Sequence, residues 1–214
     1  MMSKKMQTPK IPAHLEPLDQ NWLSEEVYLR EVLIEDRDFD FDPMERIVLD
    51  QVILRNVNFV TLEFPNIELT DVIFEKCNLS NVAFNSAVIH RCQFIDCKLT
   101  GADLSDSLIH NTLFQNCLMT MSSLGFSKFK QVEWHDCSLI NADFYESELK
   151  HSEIINCKLN EANFSNVMME SIDLSVNHFD GMTVSLDKLR GCRVTSEQAL
   201  SFARALGVVI TEED

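Results

Sequence analysis

The chain has 214 residues, 45% of them hydrophobic and 24% charged, with a formal net charge of −16 at neutral pH. Fourteen Phe, with abundant Leu, Ile and Val, can fill a core, which argues against a disordered chain. The acidity disfavours direct binding to nucleic-acid phosphates and favours solubility or a basic partner; no apolar run approaches the ~18 residues of a membrane span, and residues 1–25 lack a signal-like apolar stretch, so a cytoplasmic protein is expected.

In chain order, residues 1–26 read as an N-terminal tail and cap. The first twenty hold three Pro and three Lys and few large apolar side chains, and Trp22, Leu23 and Val27 are placed to fold over the start of the body. From Leu29 every fifth residue is large and apolar, through Ile34, Phe39, Met44 and Leu49 to Val184 and Leu189, thirty-three positions with no slip of register. Chance at this composition gives such a series about once in 10^11 trials. The residue two before each centre is small between 77 and 167, running from Cys77, Val82 and Ala87 to Ala162 and Val167. A period of five matches neither the roughly 3.6 of a helix nor the roughly 2.0 of a strand. It matches a chain that turns a corner every five residues and points one large and one small side chain inward on each side. With only five Gly, a fold built on many tight glycine turns is not expected.

Cys77, Cys97, Cys117, Cys137 and Cys157 recur every 20 residues, so four pentapeptides make one coil and equivalent residues stack. At a strand spacing of ~4.8 Å, residues 27–193 form about eight coils and a rod ~38 Å long. Arg37 and Asp42 stand at small-residue positions, and Pro43 and Pro65 remove backbone donors, so the first two turns are expected to be irregular. The fold class is all-β, a parallel β-helix. The segments Ala102-Asp103-Leu104-Ser105, Ala142-Asp143-Phe144 and Ala162-Asn163-Phe164-Ser165 resemble the A(D/N)LXX motif of the pentapeptide-repeat family. The resemblance covers about three quarters of the chain and implies a right-handed, four-sided β-helix.

Residues 194–214 close the chain. Thr195-Ser196-Glu197-Gln198 reads as a capping box that opens a helix, Gly207 as its stop, Val208–Ile210 as a short strand and Glu212–Asp214 as a solvated acidic tail. The apolar side of this segment either seals the rod only or also forms a homodimer interface, for which the candidates are Leu200, Phe202, Ala203, Leu206, Val208 and Ile210.

Chemistry-bearing residues are few. The seven Cys occupy the small inward position and contain no Cys-x-x-Cys, so they read as small core residues rather than a metal or redox site. His90, His110, Lys130 and Lys150 form a narrow basic stripe with His151 beside it, read as a solvated edge because no nucleophile–base–orienter set accompanies it. No catalytic residue, metal or cofactor is expected, and the chain reads as a non-enzyme. The acids are more regular. Residues 29–189 hold 26 Asp and Glu against 12 Lys and Arg, net −14, and Glu63, Asp103 and Asp143 recur every 40 residues, as do Asp96 with Asp136 and Asp106 with Glu146. Two turns separate such carboxylates by ~9.6 Å, near the Debye length, whereas adjacent rungs would repel at ~4.8 Å. Either the spacing is what a stacked fold tolerates, or a rod with regular surface anions imitates a DNA duplex.

The stretch from Gln198 to Ile210 is similar to the ending of the quinolone-resistance (Qnr-type) and mycobacterial fluoroquinolone-resistance proteins. That resemblance implies tail-to-tail homodimers, a DNA-mimic surface, and binding to DNA gyrase or topoisomerase IV that protects the enzyme from quinolones or inhibits it. The loop insertions of the Gram-negative members are missing here. The alternative reading is a structural or adaptor scaffold for a different protein partner.

Overall fold

The paired strand and bridge residues described in the body lie twenty places apart, and the chain winds as a parallel four-sided solenoid. The computed structural model describes residues 5–18, 26–39, 46–59, 63–64, 66–205 and 207–211. Face 1 stacks Leu29, Leu49, Leu69, Ile89, Ile109, Phe129 and Leu149 in register. Face 2 stacks Ile34, Leu54, Phe74, Phe94, Phe114, Trp134 and Ile154. Faces 3 and 4 are narrower ladders of single bridges, from Asn58 through Asn78 and Lys98 to His178, and from Glu63 through Ala83, Asp103, Ser123 and Asp143 to Asn163. Seven or so rungs thus stand on each face. The described parts of the first two coils, 26–39 and 46–59, keep the twenty-residue register expected for later coils; Trp22, Leu23, Asp42, Pro43 and Pro65 lie outside the described residues.

The five-residue period acquires its cause at the corners. Twenty-five non-glycine residues have φ between 51° and 72°, each at a corner of the coil, and thirteen of them are Asn or Asp; Gly101, Gly181 and Gly191 take the same conformation at three further corners. The left-handed region costs most side chains roughly 1–2 kcal/mol, and Asn and Asp bear it best because their short polar groups bond locally. This explains how so many corners are built from so few glycines.

Inside, coil spacing and aromatic stacking coincide. Phe74 and Phe94 stack at 4.7 Å and 3°, and Phe94 and Phe114 at 4.8 Å and 11°, with all three side chains fully buried. The cysteine column does the work of small donors. The thiol of Cys97 donates to Phe74 O at 3.4 Å and that of Cys117 to Phe94 O at 3.3 Å, a bond that the hydroxyls of Ser107 and Ser127 make to Phe84 O and Leu104 O in their own column. Burial pushes the Cys92 thiol up to about 12, so it stays protonated. All seven cysteines are free thiols. Arg37 does point a half-buried side chain at a small-residue position, and its Nε has no hydrogen-bond partner among the described residues.

The ends are closed by different devices. Helix α1 spans Ser196–Ala205. Thr195 Oγ1 accepts from Gln198 N at 3.2 Å while Gln198 Oε1 accepts from Thr195 N at 2.9 Å, which is the expected capping box. Gln198 Nε2 also donates to Leu174 O and Asn177 O, both at 2.9 Å, and Phe202 stacks on Phe179 at 5.4 Å, so the helix plugs the last coil. Val208 N donates to Ala203 O and Gly207 N to Arg204 O, a Schellman stop with Gly207 at φ 79°. The strand expected at Val208–Ile210 does not form: the segment is irregular and pairs with no described strand, so its β-branched residues have no ladder to join. At the other end, residues 5–18 are not a free tail. They run along the rod, and Glu16 and Leu18 N–H groups donate to Glu31 O and Leu33 O, each at 3.0 Å. The acidic tail Glu212–Asp214 lies outside the described residues.

Candidate functional site

Every outward column of the rod repeats one local backbone, so a side chain's role follows from its place in the coil. Glu63, Asp103 and Asp143 share one outward column of face 4. Asp106 and Glu146 stand at the corner that follows this face, with φ of 57° and 54°. These five carboxylates are therefore brought together. Asp96 and Asp136 are not: they occupy the corner after face 2, half a coil away, with φ of 54° and 56°. Asp103 and Asp143 are half-exposed and the other five are exposed. No ion pair among the described residues includes any of the seven.

Several of these carboxylates also hold the fold. Asp103 Oδ1 accepts the Ser105 N–H at 2.9 Å and Asp143 Oδ1 the Tyr145 N–H at 3.0 Å, tight side-chain turns that Asn163 repeats with Ser165. The rung after three of these acids carries an amide that donates back to the carboxylate. Asn116 Nδ2 donates to Asp96 Oδ1 at 3.1 Å, Asn163 Nδ2 to Asp143 Oδ1 at 2.8 Å, and Asn166 Nδ2 to Glu146 Oε1 at 3.3 Å. Of the paired acids, Asp96 and Asp136 have such an amide, Asn116, on the rung between them, where it replaces repulsion at ~4.8 Å with a hydrogen bond; Ala83, Ser123 and Phe126 fill the rungs between the other pairs and simply keep the carboxylates two rungs apart. Sequence reasoning missed these amide bonds, although Asn twenty residues after Asp96, Asp143 and Glu146 was the available signal.

The basic stripe lies where expected, on face 1, with Thr70, His90, His110, Lys130 and Lys150 in register. Its upper half carries little charge. Burial lowers the pKa of His90, with the Arg91 and His110 charges adding to it, and burial with the Lys130 charge lowers that of His110. Among the described residues no group of three His, Cys, Asp or Glu could hold a metal ion, and no helix is long and apolar enough to cross a membrane.

The C-terminal candidates divide. Phe202 is buried against Phe179 and serves the plug. Leu200 and Val208 are 42% and 52% exposed, and Val209 beside them 87%. Ala203 and Ile210 are half-buried, and Leu206 lies outside the described residues.

A filled, four-sided coil with left-handed corners defines a β-solenoid whose chemistry resides in its outer columns. The chain belongs to the pentapeptide-repeat family: the family profile for the pentapeptide repeat region matches residues 67–133 and 87–164. Among curated proteins, an uncharacterized protein of Bacillus subtilis (strain 168), YisX, is 59% identical over 32 residues, a match that spans 15% of this chain and 15% of that protein. Among solved structures, a trypsin-treated form of QnrB1, a plasmid-mediated fluoroquinolone resistance protein, is 17% identical, with 92% of this chain and 96% of that chain covered and a TM-score of 0.45. HetL of Nostoc sp. strain PCC 7120, involved in heterocyst differentiation regulation, is 14% identical over 78% of this chain and 87% of its own, with a TM-score of 0.31.

Proposed function

We propose that this chain is an acidic rod that imitates the charge of a DNA duplex and binds a bacterial type II topoisomerase, DNA gyrase or topoisomerase IV, protecting it from quinolones or inhibiting it. The observation that carries the reading is the cluster of Glu63, Asp103, Asp106, Asp143 and Glu146 on face 4 and its trailing corner, all turned to solvent and outside any ion pair among the described residues. A net −14 over a rod of ~38 Å is about one charge per 2.7 Å, within a factor of two of the ~1.7 Å of duplex DNA. The similarity of residues 198–210 to Qnr-type endings supplies the partner. Leu200, Val208 and Val209 supply an exposed apolar end for a homodimer. A scaffold for another protein partner is the second reading, favoured by the turn and ladder bonds that account for several acids without any partner.

The test is a gyrase supercoiling assay titrated with this protein, with and without a quinolone, for the wild type and an Asp103→Asn/Asp143→Asn variant. The amides keep the oxygen that accepts the Ser105 and Tyr145 N–H groups and remove only charge. At up to ~1 kcal/mol per exposed charge, the pair should weaken the effect about tenfold and flatten its salt dependence. No effect of the wild type on either topoisomerase, or an unchanged titration by the variant, would move the assignment to the scaffold reading.

A further inference from the structure

Residues 5–10 cross the coils lengthwise, along the corner that follows face 1. Gln131 Nε2 donates to Lys5 O at 3.3 Å, Gln7 N to Asn111 Oδ1 at 3.0 Å, Lys10 N to Asp71 Oδ1 at 2.9 Å, and Gln51 Nε2 to Lys10 O at 2.9 Å. The four corner residues form one column with φ from 52° to 58°. It spans four rungs, ~19 Å. Asp71, Asn111 and Gln131 are only 4%, 7% and 7% exposed beneath the arm.

Three properties of this contact are those of a peptide-reading surface. All four bonds take a backbone N–H or C=O of the arm, so they register an extended main chain and tolerate many side chains. Pro9 and Pro12 hold the arm extended at little entropic cost. Charge is complementary: residues 1–14 carry three Lys and no acid in a chain of net −16. The anchoring carboxylate is held in place from below, since Arg91 Nε and Nη2 grip Asp71 Oδ1 and Oδ2, each at 2.6 Å. The arm joins a coil ladder only from Glu16 onward, where it pairs with Val32.

We propose that this corner is a docking track for an extended, basic, proline-containing peptide segment of a partner protein, and that the chain's own N-terminal arm is the resident occupant such a segment displaces. The track lies on the opposite side of the coil from face 3 and its trailing corner, and on a different corner from the face 4 acids, so it is distinct from the proposed topoisomerase surface.

A labelled peptide of residues 1–14 serves as the probe, added in trans to the full-length chain and read by fluorescence anisotropy. A Gln7→Pro/Lys10→Pro chain lacks the two arm N–H donors and leaves the coils untouched, so it should bind the probe at least about tenfold more tightly than the wild type, and salt should weaken that binding. Adding Asn111→Gly, which keeps the left-handed corner and deletes an acceptor, should reverse much of the gain. No binding to the Pro variant, or a gain indifferent to Asn111→Gly, would overturn the proposal. Amide exchange on the unaltered chain gives an independent reading: the Gln7 and Lys10 amides should exchange far faster than a coil amide such as Leu99, and equal protection would show a permanent element rather than a displaceable one. Self-association of the wild type that disappears in the Pro variant would assign the track to the arm of a second copy and likewise overturn the partner-peptide assignment.

Discussion

Asp71→Asn would leave Arg91 in the rod without its counter-charge. The two side chains are 6% and 15% exposed and meet through two parallel bonds of 2.6 Å. Removing one member of such a pair typically costs about 3–5 kcal/mol, because the remaining charge keeps its desolvation penalty. The Asn oxygen can still accept the Lys10 N–H, and Arg91 Nη1 lies 3.1 Å from His90 Nδ1, so the lower end, about 3 kcal/mol, is expected. Urea unfolding at fixed slope reads this as a fall in midpoint. Arg91→Met on top of Asp71→Asn should recover most of the loss, since a hydrophobic group of similar length needs no counter-charge. The pH dependence has a definite sign. Burial pushes the Asp71 carboxyl up, but the Arg91 guanidinium and the Lys10 N–H outweigh it and hold the pKa below its ordinary value. The unfolded chain then binds more protons at acid pH, so the contribution is fully present above the unfolded value of about 3.9 and is lost as pH falls through the lower folded value. Wild type and variant should differ by a constant amount above about pH 5 and converge in acid. A loss below ~1 kcal/mol, or additive effects of the two substitutions, would refute the reasoning.

Two further outcomes are expected. Phe94→Ala opens a cavity in a fully buried stack and removes two ring contacts, at 4.7 and 4.8 Å, so a loss of about 4 kcal/mol is expected, with amide exchange rising first in the adjoining coils because stability in a solenoid is carried between neighbours. Leu200→Asp/Val209→Asp should convert a light-scattering dimer to a monomer without lowering the melting temperature by more than a few degrees, and a wild type already monomeric at micromolar concentration would remove the dimer.

The period of five could be read from sequence because it fixes what enters the core, and Leu29 to Leu189 had to satisfy it at every coil. The corner conformation could not, because Asn, Asp, Gln, Arg, His and Phe all occupy it and no single residue type marks it. The acids were visible as positions, but the turn at Asp103 and the amide ladder at Asp96 depend on which residue stands twenty places away. Val208–Ile210 misled because β-branching favours a strand only where a neighbour offers a ladder. The arm was least legible: its bonds join backbone to side chains 41 to 126 residues distant, and neither partner has a local signature.

The lengthwise arm also decides where the rod can be held. Lys5 lies beside the coil of Gln131, only about three rungs from the C-terminal plug, rather than at the opposite tip. A label or tether placed at Lys5 would therefore sit near the plug, and force applied between Lys5 and helix α1 would first peel the arm, shearing its four bonds from the Gln131 end toward Gln51, before any coil unwinds. The rod would extend in two distinct mechanical steps, a short early one for the arm and a longer one for the coils.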